Sequence, residues 1–475
     1  MRSVVVLLTA LAGALPCALP ATAAAQDGKP CVLVFTGVAR GADTTAARYY
    51  TSSTGARYTY ISGGVDATCE GQGNRLLADS AEHYADRGEL ILINQVRYSE
   101  PRMNMQSDRM VYYTNEERIL ATGNVRGKTN TGTRFVGPEL EYFRAKPGLR
   151  ETPRWRAPGR PFVRMAPSDS TKPRTPLPGE AATSDSVDLT ADVVISQNDS
   201  LIWASGQVVI ERPDMIAKSD SATMDQGTGF ARLLRKPSIE GRGERPFTLT
   251  GIVIDLWSRE QRIERVRSDG EARILSDSLT LTGDTIDLRI ADQQMERVYV
   301  WGGRATADAP EQQMEADSLD ILMPGQRLQE LHALGRAFAY TRVDTAAIVS
   351  GERDWLSGDT IVALFDTAAT GDTTSGARMR QVTANGSARA FYQLAPTGGV
   401  KGPPNISYNR GREIIVSFSE GEVSNVAVRD RASGLFLEPI QPDSLRKPVQ
   451  SDSVRKPIAP DSVRKPTAKP PATRP

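Results

Sequence analysis

A short strand-like pattern keeps returning along the chain: alternating apolar and polar positions, then glycine, a polar residue, and valine or alanine. It reads Ile119-Leu120-Ala121-Thr122-Gly123-Asn124-Val125 and Ile202-Trp203-Ala204-Ser205-Gly206-Gln207-Val208. It recurs over Val266 to Ala272, Leu331 to Ala337 and Val382 to Ala388. The closing positions 208, 272, 305 and 337 lie 64, 33 and 32 residues apart, a period near 32 with one cycle less clearly marked. Self-similarity of this kind belongs to stacked supersecondary units. Within a unit the period is two. Val266, Ser268, Gly270 and Ala272 fall on one face, and Arg265, Arg267, Asp269 and Glu271 on the other. Val382, Ala384, Gly386 and Ala388 likewise oppose Gln381, Thr383, Asn385 and Ser387. One apolar face and one wet face predict antiparallel sheet; no convincing run has the three- and four-residue spacing of a helix.

Each unit also has an upstream strand marked by aspartate: Asp79, Asp108, Asp220, Asp284, Asp317 and Asp359. Turn-forming stretches such as Ala85-Asp86-Arg87-Gly88 and Asp225-Gln226-Gly227-Thr228-Gly229 separate the two strands. The unit is therefore strand, turn, strand, connector, and stacked units with one greasy side would form a trough. Two stretches break the rhythm. Residues 146–186 are rich in proline, which predicts a linker or insertion. The tail from 437 to 475 repeats Pro-Asp-Ser-Leu-Arg-Lys-Pro with a nine-residue period and predicts disorder. The resulting division is an N-terminal block over 31–145, the proline-rich stretch, a C-terminal block over 187–436, and the tail.

Residues 1–25 read as an export signal: Arg2, an apolar run from Val4 to Leu15, then Ala23-Ala24-Ala25. A lipoprotein reading would use Cys17, but Pro16 stands where a small residue is wanted. Export leaves Cys31 and Cys69 as the remaining thiols, either bridged or unpaired. The chain is nearly neutral, with 58 basic and 57 acidic residues. The last 35 residues carry eight Lys or Arg against three Asp, or +5, so the rest is at 50 − 54 = −4. No clustered basic face suggests nucleic acid. Aromatic residues make up 6% of the chain, which suits thin, half-exposed sheets better than a thick core.

Enzyme chemistry has little footing. His83 and His332 are the two histidines and lie far apart, without metal-ligand spacing. No nucleophile elbow or phosphate-cradling loop appears. The repeated aspartates suggest calcium or paired carboxylates only until their periodicity is noticed; one per unit predicts a ladder with a turn or strand-end role. No cofactor or metal is expected.

The Asp-marked strand, the turn and the strand closing in Gly-x-Val or Gly-x-Ala resemble the organic-solvent-tolerance (OstA-like) family, the LptA type of periplasmic lipopolysaccharide-transport protein. The stretch from 77 to 125 carries the resemblance best, with Ala78-Asp79-Ser80 and Gly123-Asn124-Val125, and weaker copies cover most of 187–390. The resemblance implies an elongated, twisted antiparallel β-jellyroll, V-shaped, whose two sheets enclose an apolar groove for acyl chains, in one long body or two in tandem. It implies lipopolysaccharide or a related glycolipid as cargo, a periplasmic place, free or associated with the outer membrane, and a part in outer-membrane assembly alongside its proteins. Head-to-tail strand pairing, with itself or with other jellyroll components, is the expected mode of association. The groove-facing candidates are Ile61, Leu92, Ala121, Ile202, Val266, Tyr299, Trp301, Leu331 and Val382. Two other readings stand beside this one: an exported β-rich scaffold or adhesin without lipid, and a polysaccharide-active β-helix enzyme.

Overall fold

The computed structural model describes residues 32–35, 46–70, 73–165, 186–242, 245–259, 262–276, 279–310, 312–341, 346–366, 378–396, 401–419 and 422–439. It is an all-β antiparallel jellyroll-like meander with two single-turn helices. As a rule a long strand pairs with the one before it and the one after it. Arg118–Thr129, for example, lies between Met103–Tyr113 and Arg134–Phe143. The segment read as an export signal and residues 440–475 of the repetitive tail lie outside the described residues.

The Gly-x pair of the repeated motif is a corner in the middle of a strand. Pairing slips between Thr122 and Val125, where Gly123 and Asn124 both have left-handed backbone, φ 79° and 45°. The same two-residue bend occurs at Gly206-Gln207, Gly270-Glu271, Gly335-Arg336 and Gly386-Ser387. Such φ values are hard for a side chain with a Cβ, which is why glycine leads each pair. Because the corner consumes two residues, the inward face stays inward: Ala121 and Val125 are both fully buried. Every such strand thus contributes its first part to one layer and its second to another, with the corners as the shared edge and the turns as two free edges. The layers meet face to face, as the stacked rings of Phe135 and Trp155 show at 5.8 Å across them.

The repeated aspartates belong to these corners. They sit in mid-strand, beneath the bend of the following strand, and not at turns or strand ends as the pattern suggested. A Cβ on Gly123 would lie 2.6 Å from Asp108 Oδ2, one on Gly335 2.5 Å from Asp317 Oδ2, and one on Gly302 2.7 Å from Asp284 Cβ. The carboxylate then takes hydrogen bonds from the second corner residue: Asn124 Nδ2 donates to Asp108 at 2.7 Å, and the Arg336 guanidinium to Asp317 at 2.6 Å. Arg336 holds the Asp317 carboxyl below its usual range. Under Asp220 the bend is Arg235-Lys236, and the Asp220 N–H donates to Arg235 O.

The proline-rich stretch needs correction as well. Within it, Arg154–Pro158 and Phe162–Met165 are strands, paired on one side with Arg134–Phe143 and on the other with Val193–Gln197 and Val187–Thr190. Pro158 and Pro161 flank another corner, Gly159-Arg160, and proline is tolerated where a ladder is interrupted. Residues 166–185 lie outside the described residues. The ladder therefore runs unbroken from the N-terminal block into the C-terminal one.

The interior is unequal along its length. All the buried aromatic side chains among the described residues, Tyr98, Tyr112, Phe135, Tyr142 and Trp155, fall before residue 156. Beyond residue 190 fourteen of the described alanines are buried, among them Ala272, Ala305, Ala333, Ala363 and Ala388, interleaved with Leu, Ile, Val and Met. Bulky rings help fill the space between the layers in the first part; aliphatic side chains, with no buried ring among them, line it in the second.

The outer faces carry arginine, acid and aromatic side chains in cross-strand rows. Arg232 grips Asp255 through two bonds of 2.7 and 2.8 Å, Arg297 grips Asp320, and Arg265 and Arg289 flank the buried Asp287. Tyr299 and Trp301 belong to this face and not to the interior. They are half-buried, with Arg297 4.9 Å and Arg267 5.6 Å from their ring centres. Their neighbours Val298 and Val300 point inward and are fully buried.

Candidate functional site

Seven of the nine groove candidates face the interior: Ile61, Leu92, Ala121, Ile202, Val266, Leu331 and Val382 are all buried. All seven belong to one continuous core. Ile61, Leu92 and Ala121 sit where it includes aromatic rings, whereas Ile202, Val266, Leu331 and Val382 sit where the buried side chains are aliphatic. Of the two cysteines, Cys69 is buried and disulfide-bonded, and Cys31 lies outside the described residues.

Between the two free edges, in the second part, the layers part into a small, partly open mouth with apolar walls. One wall comes from the start or end of three strands of one layer, through Met215, Ile239 and Phe247. The other comes from Ile263, Val266, Leu288, Ile290 and Met295. Val266 is thus the one predicted groove residue that reaches this opening. Phe247 is set by its cross-strand partner Gly241: a Cβ there would lie 2.3 Å from the phenyl ring, so the ring covers bare backbone. The rim is polar, with Asp214, Arg242, Arg245, Gln293 and Gln326. Arg245 Nη1 donates to Gln326 O at 2.6 Å and so spans the two edges.

The first part is shut at the corresponding place. Arg144, next to the strand Arg134–Phe143 in one layer, reaches Glu100, next to Glu89–Ser99 in the other, at 2.7 Å. It also reaches Glu117 at 2.6 Å. Tyr98 donates to Glu100 at 2.8 Å, Tyr112 to Glu117 at 2.7 Å, and Tyr142 to Glu100 as well. All six side chains are buried. Burial, and then the nearby Glu100 carboxylate, pushes the Tyr98 hydroxyl well above its ordinary pKa. Burial alone would weaken the charge on Arg144, but Tyr98, Glu100, Tyr112 and Glu117 hold it above its usual value. The cluster is a clasp between the free edges.

Neither histidine enters such an arrangement. Burial lowers the pKa of His83, and His332 Nε2 lies 3.0 Å from its neighbour Glu330. Among the described residues no group of three or more His, Cys, Asp and Glu is placed to hold a metal ion. Nothing in the strand pattern pointed to the clasp, whose bonded partners lie up to 44 residues apart. The mouth was half legible, since its inner residues alternate as expected, but its position depends on where the edges diverge.

No family model matches the chain, and no curated protein matches it. A solved structure to which part of the chain is similar is that of LptH from Pseudomonas aeruginosa, described as the LptA-homologous periplasmic component of the conserved lipopolysaccharide transport device; the likeness is 14% identical, covers 25% of this chain and 82% of that one, and has a TM-score of 0.22.

Proposed function

We propose that this chain is a non-enzymatic periplasmic lipid-binding protein that holds the acyl chains of lipopolysaccharide or a related glycolipid between its two layers, and moves or bridges it toward the outer membrane. The observation that carries the reading is the aliphatic interior of the second part, without a buried ring, opening at Met215, Ile239, Phe247 and Ile263 into an apolar mouth. Each methylene taken from water into such a lining gains about 0.8 kcal/mol, so a long continuous apolar face suits a fatty chain. The motif resemblance to the OstA-like family agrees with it. Ile202, Val266, Leu331 and Val382 are the side chains proposed to meet the lipid. For the first part, the aromatic filling and the clasp favour a purely structural duty, and Ile61, Leu92 and Ala121 are core residues on this reading. A bridge between Cys31 and Cys69 would tie the first strand down.

The test is mass spectrometry of lipid extracted from full-length protein taken from its native cell, together with a photoreactive phenylalanine in place of Leu331 or Leu92. Glycolipid is expected in the extract and crosslinked at Leu331, with none at Leu92. Protein that carries no lipid, in a cell whose depletion leaves lipopolysaccharide delivery at its normal rate, would sink the reading.

Association should run end to end. The last strand of one layer, Ser433–Leu437, exposes Leu435 and Phe436, and the first strand of the other, Ala46–Thr51, exposes Tyr49 and Tyr50. Unpaired edges of this kind accept a further strand. Phe436→Lys is expected to shift sedimentation from oligomer to monomer at micromolar protein. An unchanged profile would rule out pairing through this edge.

A further inference from the structure

We propose that the mouth between Asp214 and Gln326 is a side port that takes one tail of an anionic amphiphile, with Arg242 and Arg245 holding its carboxylate or phosphate head. The proposal rests on the lipid-binding reading and adds to it where the tail enters and what charge the head must carry. Three observations converge. The clasp at Arg144 joins the free edges in the first part, whereas here the edges diverge around apolar side chains from both layers. The walls are deep enough to reach Val266 and Leu288, which are buried core residues.

Among the described residues the rim, finally, carries more positive than negative charge. Asp214 is taken by Arg212 at 2.9 Å, while Arg242 and Arg245 are exposed and in no ion pair among the described residues. The Arg245 guanidinium donates to a neutral acceptor, the Gln326 carbonyl. An anionic head at the mouth offers a charge-assisted acceptor in its place, and such bonds are roughly twice as strong as neutral ones. Exchanging the carbonyl for that head would release the strap across the opening as the tail seats. A second copy of the chain or a peptide strand would instead need a free backbone edge here, and the strands Ser238–Gly241 and Phe247–Thr250 are paired on both sides.

The experiment uses full-length protein and 11-(dansylamino)undecanoate as a fluorescent probe, with dodecanol, dodecyl phosphate and inorganic phosphate as competitors. One probe per chain is expected, displaced by dodecyl phosphate and not by inorganic phosphate. In Arg242→Ala/Arg245→Ala, two exposed positions, the affinity for undecanoate should fall by about tenfold or more while that for dodecanol changes by less than about twofold. A photoreactive phenylalanine at Ile263 should crosslink the probe. Equal loss for dodecanol and undecanoate, or none for either, would overturn the role of the arginines, and displacement by inorganic phosphate would mean a bare anion site. Crosslinking at Leu331 but not at Ile263 would sink the port and leave the lipid-binding reading intact; absence of binding anywhere would sink both.

Discussion

Arg144→Met is expected to cost about 3–5 kcal/mol of stability, read as a lowered midpoint in urea denaturation. The reason is the company that Arg144 keeps. Its guanidinium is the cation lying between Glu100 and Glu117, with both carboxylates buried and at 2.7 and 2.6 Å. Tyrosine hydroxyls satisfy some of their lone pairs but supply no countercharge. Removing the arginine strands buried negative charge, whereas removing the whole charged group does not. Arg144→Met/Glu100→Gln/Glu117→Gln should therefore recover much of the loss, since neutralised buried networks of matched volume are often close to neutral in cost. A single variant within about 1 kcal/mol of the parent would mean that the edges are held by the aromatic filling alone.

The strand class and the inward face were readable because the motif breaks its alternation in steps of two. Ala121 and Val125, or Ala384 and Ala388, remain on one side of the pleat although a corner lies between them. Tyr299 and Trp301 defeated the same logic. In Val298-Tyr299-Val300-Trp301 every position is apolar, so alternation does not choose a face, and bulk pointed the wrong way. What decides is the neighbouring side chains, which present Arg267 and Arg297 on one side and buried aliphatic groups on the other. The proline-rich stretch misled for a related reason. Proline excludes a residue from a regular ladder, but a corner is the one place in these strands where the ladder is already interrupted, and Pro158 and Pro161 stand on either side of one. The clasp and the mouth stayed hidden because both are made by turns distant in sequence; Arg245 and Gln326 are 81 residues apart.

Gly386→Ala is expected to cost about 3 kcal/mol, from two sources that can be separated. The backbone at Gly386 has φ 76°, where a Cβ costs roughly 1–2 kcal/mol whatever its surroundings. In addition the new methyl would sit 2.1 Å from Asp359 Oδ2 and 2.7 Å from its Cγ, so the aspartate beneath the corner must move. Gly148 isolates the first source: it has φ 78° and nothing within 4 Å of where its added methyl would lie. Gly148→Ala should therefore cost about 1 kcal/mol by urea denaturation, the backbone strain by itself. Placing Gly386→Ala in an Asp359→Ala background removes the carboxyl's share of the second source and leaves only the Cβ of residue 359, at 2.8 Å, so its cost there should fall part of the way toward that of Gly148→Ala. The difference is a coupling energy between residues on adjacent strands. If Gly386→Ala and Gly148→Ala cost the same, or if Asp359→Ala leaves the cost at Gly386 unchanged, the aspartate does not brace the corner. Its once-per-unit recurrence would then need another explanation, and the chemistry set aside for these carboxylates would have to be reopened.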